Sequence, residues 1–436
     1  LPNLDFKIRC ANSLIDQIRG QRVALSKFAN NPQYRKLLSK LGKDKHAFYE
    51  AHSVPEKRKL RFEIYDTTTT LASLEIEKEK NDMGLFEEES DDPLRFKALK
   101  KAQKQIISIE NKIKEARKAK AVDQDKELAK VDDWFNDDEK PTFIWQLDFA
   151  EVFFRSKEKE EPNNIGFDLI VGNPPYLRIQ TLKKTAPEQV EYFKERFSSA
   201  KGSYDLYVVF VEKSIELLSL NGQLAYILPH KFFNAKYGEG LRSLIRRGKS
   251  LRHVVHFGDE QIFPGATNYV CLMLLDKSGV EICNYVQAND LQAWLSNLKG
   301  EKKEIPLDEI SDSEWNFVVG AASSLFNRLH KIPTKLENLT DRIFQGLITG
   351  ADPVYILKKI GLEGKKIKVF SKALNKELYI ESSITKPLLK GKEIQRSHIV
   401  DVDNVIIYPY KLTNDRPRLL SKAQLQRGYP LAWKYL

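Results

Sequence analysis

Residues 166–177 read GFDLIVGNPPYL, a short apolar run leading directly into Asn-Pro-Pro-Tyr. Phe167–Val171 is apolar apart from Asp168, which predicts a strand inside a sheet covered on both faces. Gly172 ends it. Pro174 and Pro175 remove consecutive backbone donors and fix φ, so the loop beyond the strand is stiff and rich in acceptors. Open α/β sheets bind ligands in loops at the carboxyl ends of their strands.

Outward from this stretch, sheet and helix alternate. Strands are predicted at Gln223–Leu228, Leu251–Phe257, Tyr269–Leu275 and Val280–Val286, and helices at Tyr204–Leu220 and Gly240–Arg247. The pattern is α/β with a largely parallel sheet. Asp5–Leu14 also reads as a strand ending in a polar turn. From Ile15 to Lys140 the composition shifts to Lys, Glu, Ala and Leu with almost no glycine, and apolar spacings of three and four predict long amphipathic helices. Asn81–Pro93 is the natural break between them. Beyond residue 335 short strands punctuated by glycine predict a separate domain.

At 436 residues the chain is long enough for two or three domains. Its net charge of +11, from 71 Lys+Arg against 60 Asp+Glu, suits a polyanionic partner. Cys10, Cys271 and Cys283 show no paired spacing, so a reducing, cytoplasmic compartment is expected. His253 and His256 form an HxxH inside a predicted strand without a further ligand set, and no metal is expected. No apolar run reaches the length of a membrane span, and no signal-peptide pattern opens the chain. Glu110-Asn111-Lys112 matches a nuclease-like ExK triplet, but it lies in a charged helix and carries no function in this reading.

The Asn-Pro-Pro-Tyr loop has a definite chemistry open to it. The exocyclic amine of adenine is a poor nucleophile because its lone pair is delocalised into the ring. The side-chain oxygen of Asn173 and the backbone carbonyl of Pro174 can accept both amine protons and favour a pyramidal, nucleophilic nitrogen. Pro175 keeps the acceptors rigid, which is the preorganisation that electrostatic catalysis requires. Tyr176 offers a ring on which a base removed from the duplex can stack. The alternative is a rigid turn with a tyrosine packed beneath it.

GFDLIVGNPPYLR resembles the catalytic motif of the N6-adenine DNA methyltransferases, and the chain is similar to the methylase proteins of type II (IIG-like, Eco57I-like) restriction–modification systems. LPNLDFKIRCANSLI, FIWQLDFAEVFF, SYDLYVVFVEKSIELLSLNGQLAYILPHKFF, IFPGATNYVCLMLL, FQGLITGADPVYIL and KPLLKGKEIQR follow in the family's order. The resemblance implies a Rossmann-like class I methyltransferase sheet, truncated at its N-terminal side, in residues 1–15 and 141–300. A helical insertion at 16–140, a linker at 301–334 and a partial target-recognition domain at 335–436 complete the expected organisation.

By the same resemblance Asn173, Pro174, Pro175 and Tyr176 are catalytic, Phe263 is the opposing base-stacking ring, and Asn12 lies near the cofactor. A turn-forming role accounts for Asn12 equally well. Gln345, Thr349, Lys390, Lys392 and Arg396 are expected to contact DNA. Ala150 stands where the family pattern leads us to expect proline.

S-adenosylmethionine (AdoMet) is the implied cofactor. Its Gly-rich turn and the acid that follows would precede Asp5, and Gly238-Glu239-Gly240 reads as a loop rather than that turn. The chain is therefore expected to be the C-terminal part of a longer enzyme, inactive by itself, whose partner is double-stranded DNA and whose full length includes a nuclease domain. The expected function is site-specific DNA adenine-N6 methylation. The alternatives are a protein-glutamine or RNA N-methyltransferase, and a non-catalytic DNA-specificity subunit.

Overall fold

Proline and capping residues set where the helices begin in the computed structural model. It describes residues 5–23, 31–84, 90, 92–137, 139–154, 165–263, 269–319, 325, 328–329, 331–334, 336–342, 347–393, 402–413 and 416–436. A two-strand ribbon, β1 (Gln17–Ile18) and β2 (Gln21–Arg22), precedes four helices. These are α1 (Pro32–Glu50), α2 (Val54–Met83), α3 (Pro93–Lys118) and α4 (Ala121–Phe135). Asn31, Ser53 and Asp92 each accept from a backbone N–H in the first turn that follows, with proline just inside. The break predicted at Asn81–Pro93 falls where α2 ends at Met83 and α3 begins at Pro93.

Buried positions on α3, Leu99, Ala102, Ile106, Ile109 and Ile113, recur every three or four residues and pack on α2 and α4. The helices are not a separate body. Their core includes Ile144, Leu147 and Ala150 from the short helices α5 (Trp145–Asp148) and α6 (Ala150–Phe153). The fully buried Lys45 of α1 donates from Nζ to the carbonyl oxygens of Leu147, at 2.8 Å, and Asp148, at 2.5 Å. Those are carbonyls that the end of α5 leaves without helical partners.

The central sheet follows. Strand β3 (Phe167–Gly172) leads through α7 (Ile179–Thr185), α8 (Pro187–Arg196) and α9 (Tyr207–Leu217) to β4 (Leu218–Pro229). After α10 (Glu239–Arg247) come β5 (Leu251–His256), β6 (Val270–Asp276), β7 (Ile282–Gln287), α11 (Leu291–Asn297) and β8 (Glu301–Pro306). The six strands lie in the order β3-β4-β6-β5-β7-β8. A shared core of Tyr207, Val208, Leu224, Leu241, Val254 and Met273 packs the helices on the sheet.

Four expectations are corrected here. The sheet is mixed rather than largely parallel: β3 with β4 and β5 with β7 run parallel, while β6 is antiparallel to both its neighbours and β8 to β7. No helix among the described residues carries the chain back between β5 and β6, so the strand reverses. Strand β3 is not enclosed. It is the outermost strand, with β4 as its neighbour among the described residues, and Leu169 and Val171 are 59% and 70% exposed. Asp5–Leu14 forms no strand: Phe6 takes a positive φ of 63°, and Arg9 instead ties the segment to Asp148 at 2.6 Å. The span read as a linker opens with β8 and continues through Trp315, buried beneath the sheet, because Ile305 and Trp315 supply apolar anchors within a charged stretch.

The chain divides into two compact units, Leu1–His330 and Lys331–Leu436. The second is built on an antiparallel sheet of β9 (Ile356–Glu363), β10 (Lys366–Ser371), β11 (Lys376–Glu381), β12 (Thr385–Leu388) and β13 (Asn404–Ile407), in the order β11-β10-β9-β13-β12. A ribbon of β14 (Tyr410–Thr413) and β15 (Arg416–Leu419) follows. Leu357, Ile367, Val369 and Ile380 pack against Leu425 and Ala432 of the terminal helices. The Glu381 carboxylate accepts from the N–H groups of Leu431 (2.7 Å) and Ala432 (3.0 Å), where the last helix leaves donors unpaired.

Candidate functional site

The loop after β3 is held at its root by a close approach. In the parallel register Gly172 faces Tyr226 of β4, and a Cβ on Gly172 would stand 2.9 Å from the ring carbon Cε1 of Tyr226. That ring is fixed in turn, because its hydroxyl lies 2.6 Å from the Ser214 hydroxyl of α9. Only glycine lets the strand end here, and Asn173 follows directly. Asn173 and Pro175 are exposed and Pro174 is buried between them. The half-buried Tyr176 turns back over the sheet. Its hydroxyl donates to the carbonyl oxygen of Ile227 at 3.1 Å, and its ring meets Tyr207 edge-on at 6.5 Å. Burial pushes the Tyr176 phenol up to about 12, so it remains a donor at neutral pH.

Beside this loop, at the carboxyl ends of β3 and β4, lies a cavity of about 630 Å³. Tyr176, Tyr269 and His230 supply rings, Arg178 and Lys231 supply positive charge, and Asp205 a carboxylate. Behind Asp205 the Tyr237 hydroxyl donates to its Oδ2 at 3.3 Å and lies 3.0 Å from the Tyr207 hydroxyl. His230 sits over His256 with ring centroids 4.1 Å apart. Burial holds both imidazoles below their usual range, His256 down to about 4 with its neighbour contributing, so the pair is uncharged at neutral pH. The volume suits a ligand the size of a nucleotide.

The other expected residues fall elsewhere. Phe263 is half-buried and packs against the cluster of Val255, Phe257 and Val270; the aromatic from this segment that lines the cavity is Tyr269. Asn12 closes a turn, accepting from the N–H of Leu14 at 3.1 Å and donating to Gln189 at 3.4 Å. A second cavity of about 360 Å³ flanks β3, lined by Leu14, Trp145, Phe149, Leu169 and Val171 together with Lys213, which pairs with Asp16 at 3.4 Å. This largely apolar wall does not fit the charged amino-acid end of AdoMet. Gly238 and Gly240 serve packing at the start of α10: a Cβ on Gly238 would meet the Phe232 carbonyl oxygen at 2.0 Å.

In the second unit the Thr349 hydroxyl is bonded to Asp352, and Lys390 opens a turn closed by Glu393, whose carboxylate accepts from the Lys390 N–H at 2.9 Å. Lys392 belongs to the same turn. Gln345 and Arg396 lie outside the described residues.

The model of the Eco57I restriction-modification methylase family matches residues 22–263, more than half of the chain. The chain belongs to that family. Among similar proteins, the type II restriction enzyme and methyltransferase RM.Eco57I of Escherichia coli is 28% identical over 284 residues, covering 63% of this chain and 28% of the relative. The type II methyltransferase M.BstVI of Geobacillus stearothermophilus is 25% identical, covering 62% and 49%. M.XhoI of Xanthomonas vasicola is 33% identical, covering 45% and 39%. The chain thus spans less than half the length of these relatives. Among solved structures, the type IIL restriction-modification enzyme MmeI in complex with DNA matches with a TM-score of 0.34 at 11% identity, over 61% of this chain and 31% of that one.

Of the residues that line the cavity, sequence reasoning singled out Tyr176 but not Arg178, Asp205, His230, Lys231 or Tyr269, and Asn173 is not among its lining residues. His230 and Lys231 directly follow the strand QLAYILP, so the carboxyl-end rule that selected Asn173 also selects them. Nothing in the local pattern marks Tyr269, which reads as the first residue of an apolar strand.

Proposed function

We propose that the chain carries the target-base pocket and the DNA-recognition unit of a site-specific DNA adenine-N6 methyltransferase, the methylase part of a type II restriction–modification enzyme with AdoMet as methyl donor. In this reading the sheet of the first unit belongs to a Rossmann-like catalytic domain, α1–α4 are its helical insertion, and residues 335–436 recognise the target. The observation that carries the proposal is the Asn173-Pro174-Pro175-Tyr176 loop at the end of β3, with Asn173 exposed and Tyr176 lining, together with Tyr269, a cavity of about 630 Å³. The Asn173 side-chain oxygen and the Pro174 carbonyl accept from the amine, Tyr176 stacks on the extruded ring, and the cavity excludes the duplex. AdoMet supplies the methyl group.

Charge distribution supports a DNA partner. Residues 331–436 hold 20 of the 71 Lys+Arg but 10 of the 60 Asp+Glu, so almost the whole excess of +11 lies in the second unit. A polyanion recognised there is DNA or RNA rather than a protein glutamine loop. Methylome sequencing of a host carrying the full-length protein tests the reading. N6-methyladenine at a fixed sequence is expected, lost with Asn173→Ala by about 10²–10³-fold in rate. A host whose DNA acquires no mark would refute it. Lys390→Ala in the full-length protein is expected to weaken binding across all sequences and to lower the salt slope by about 1. An altered recognition sequence would instead make Lys390 a base reader.

A further inference from the structure

We infer that the outward face of α3 is a contact surface for the phosphate backbone of duplex DNA, in addition to the second unit. The inference rests on the DNA partner proposed above, though not on the chemistry at Asn173. Helix α3 carries nine Lys+Arg against two acids, Glu110 and Glu115. Lys97, Lys100, Lys101 and Lys104 are all exposed. At about 3.6 residues per turn these four share an arc of about 100°, opposite the buried Leu99, Ala102 and Ile106.

Among the described residues none of the four lysines is ion-paired, whereas the two arginines of α3 are, Arg95 with Glu79 and Arg117 with Asp66. Arginines of α2 are matched as well, Arg58 to Asp125 at 2.6 Å and Arg61 to Asp132 at 3.0 Å. Cations that face neighbouring helices are thus neutralised, and the outward ones are not. Folding gains nothing from that pattern. Lys97 with Lys101 and Lys100 with Lys104 are like charges four apart, a spacing that destabilises a helix. Nor does overall composition account for it. Outside the second unit 51 Lys+Arg meet 50 Asp+Glu, the 71 and 60 of the chain less the 20 and 10 counted above.

The stripe fits a duplex backbone in length. From Lys97 to Lys104 the helix rises about 10 Å, which matches about three phosphates of one strand. Leu99, Ala102 and Ile106 share a core with Ile144, Leu147 and Ala150, so the lysines ride on the same compact unit as the central sheet. Ammonium groups on phosphates position a duplex without reading its bases.

Lysine acetylation of the full-length wild-type protein, with and without a duplex carrying its recognition sequence, tests this by peptide mass spectrometry. Loss of labelling at Lys97, Lys100, Lys101 and Lys104 on adding DNA is expected. Protection confined to lysines of residues 331–436 would overturn the inference and leave the DNA partner standing; a wild-type protein that neither binds the duplex nor shows protection would overturn both. Salt titration of binding gives a second measure. Changing the four lysines together to Gln is expected to lower the salt slope by about 3–4, one per phosphate contact, equally on the recognition duplex and on an unrelated one. A control with Lys36, Lys43, Lys59 and Lys126 changed to Gln removes the same charge from the other helices and should keep the wild-type slope. Equal slopes for the two variants would refute the stripe as a contact surface.

Discussion

Gly172→Ala places a methyl group against the Tyr226 ring at the root of the Asn-Pro-Pro-Tyr loop. The new Cβ would lie 2.9 Å from Tyr226 Cε1, and ordinary carbon contacts need about 3.5 Å or more, so something must move by ~0.6 Å. Tyr226 cannot easily yield, because it is buried and its hydroxyl is held 2.6 Å from Ser214. The expected cost is that of overpacking, about 1–3 kcal/mol. Tyr226→Leu alone should cost a similar amount, about 1–3 kcal/mol, through the lost ring and hydrogen bond. Combined, the two changes relieve one another, and the double variant should be more stable than the sum by about 1 kcal/mol. Urea titration of the four proteins by tryptophan fluorescence measures the coupling. Additivity to within about 0.5 kcal/mol would show that Tyr226 is not what Gly172 must avoid. In the full-length enzyme Gly172→Ala also shifts Asn173, and a displacement near 1 Å is expected to cost about 10²-fold in methylation.

Other perturbations follow from the same geometry. Burial raises the Glu75 carboxyl from 4.5 to about 8, with the Tyr34 hydroxyl bonded to it. Because the folded value is the higher one, this stabilisation is complete below pH 4.5 and is lost as pH rises toward 8, by at most about 1.4 kcal/mol per pH unit. Glu75→Gln should flatten that decline in a pH series of urea midpoints; an unchanged slope would assign it to another group. Lys45→Met leaves the Leu147 and Asp148 carbonyls without their donor and should destabilise by about 1–3 kcal/mol, whereas a more stable variant would mean that ammonium burial outweighs its hydrogen bonds. Tyr176→Phe keeps the ring and loses the bond to Ile227, so stability should fall by about 0.5–1.5 kcal/mol with methylation changed less than by Tyr176→Ala.

Local chemistry made much of this architecture legible. Apolar runs marked β5, β6 and β7 to within a residue or two, and proline at Pro93 marked the start of α3. Long-range pairing was not legible. The alternation Phe6, Ile8, Cys10 looked like a strand, yet a strand needs a neighbour, and among the described residues none pairs with it. The direction of β6 depends on what connects it to β5, which apolar spacing does not encode. At the site, Asn173 and Tyr176 were readable because they are contiguous. Tyr269 joins Tyr176 at the cavity through the fold, across an antiparallel pair in which Val270 meets Pro229.

The outward flank of Phe167–Gly172 has a consequence for assembly. Among the described residues β3 pairs along one edge only, with Leu169 and Val171 exposed, an arrangement that leaves the other edge open to pairing with an extended segment. A segment laid there gains main-chain bonds and shelters both side chains, each worth up to about 1.5–3 kcal/mol when fully covered. With Asn173 one residue beyond Gly172, that same docking would also stiffen the Asn-Pro-Pro-Tyr loop.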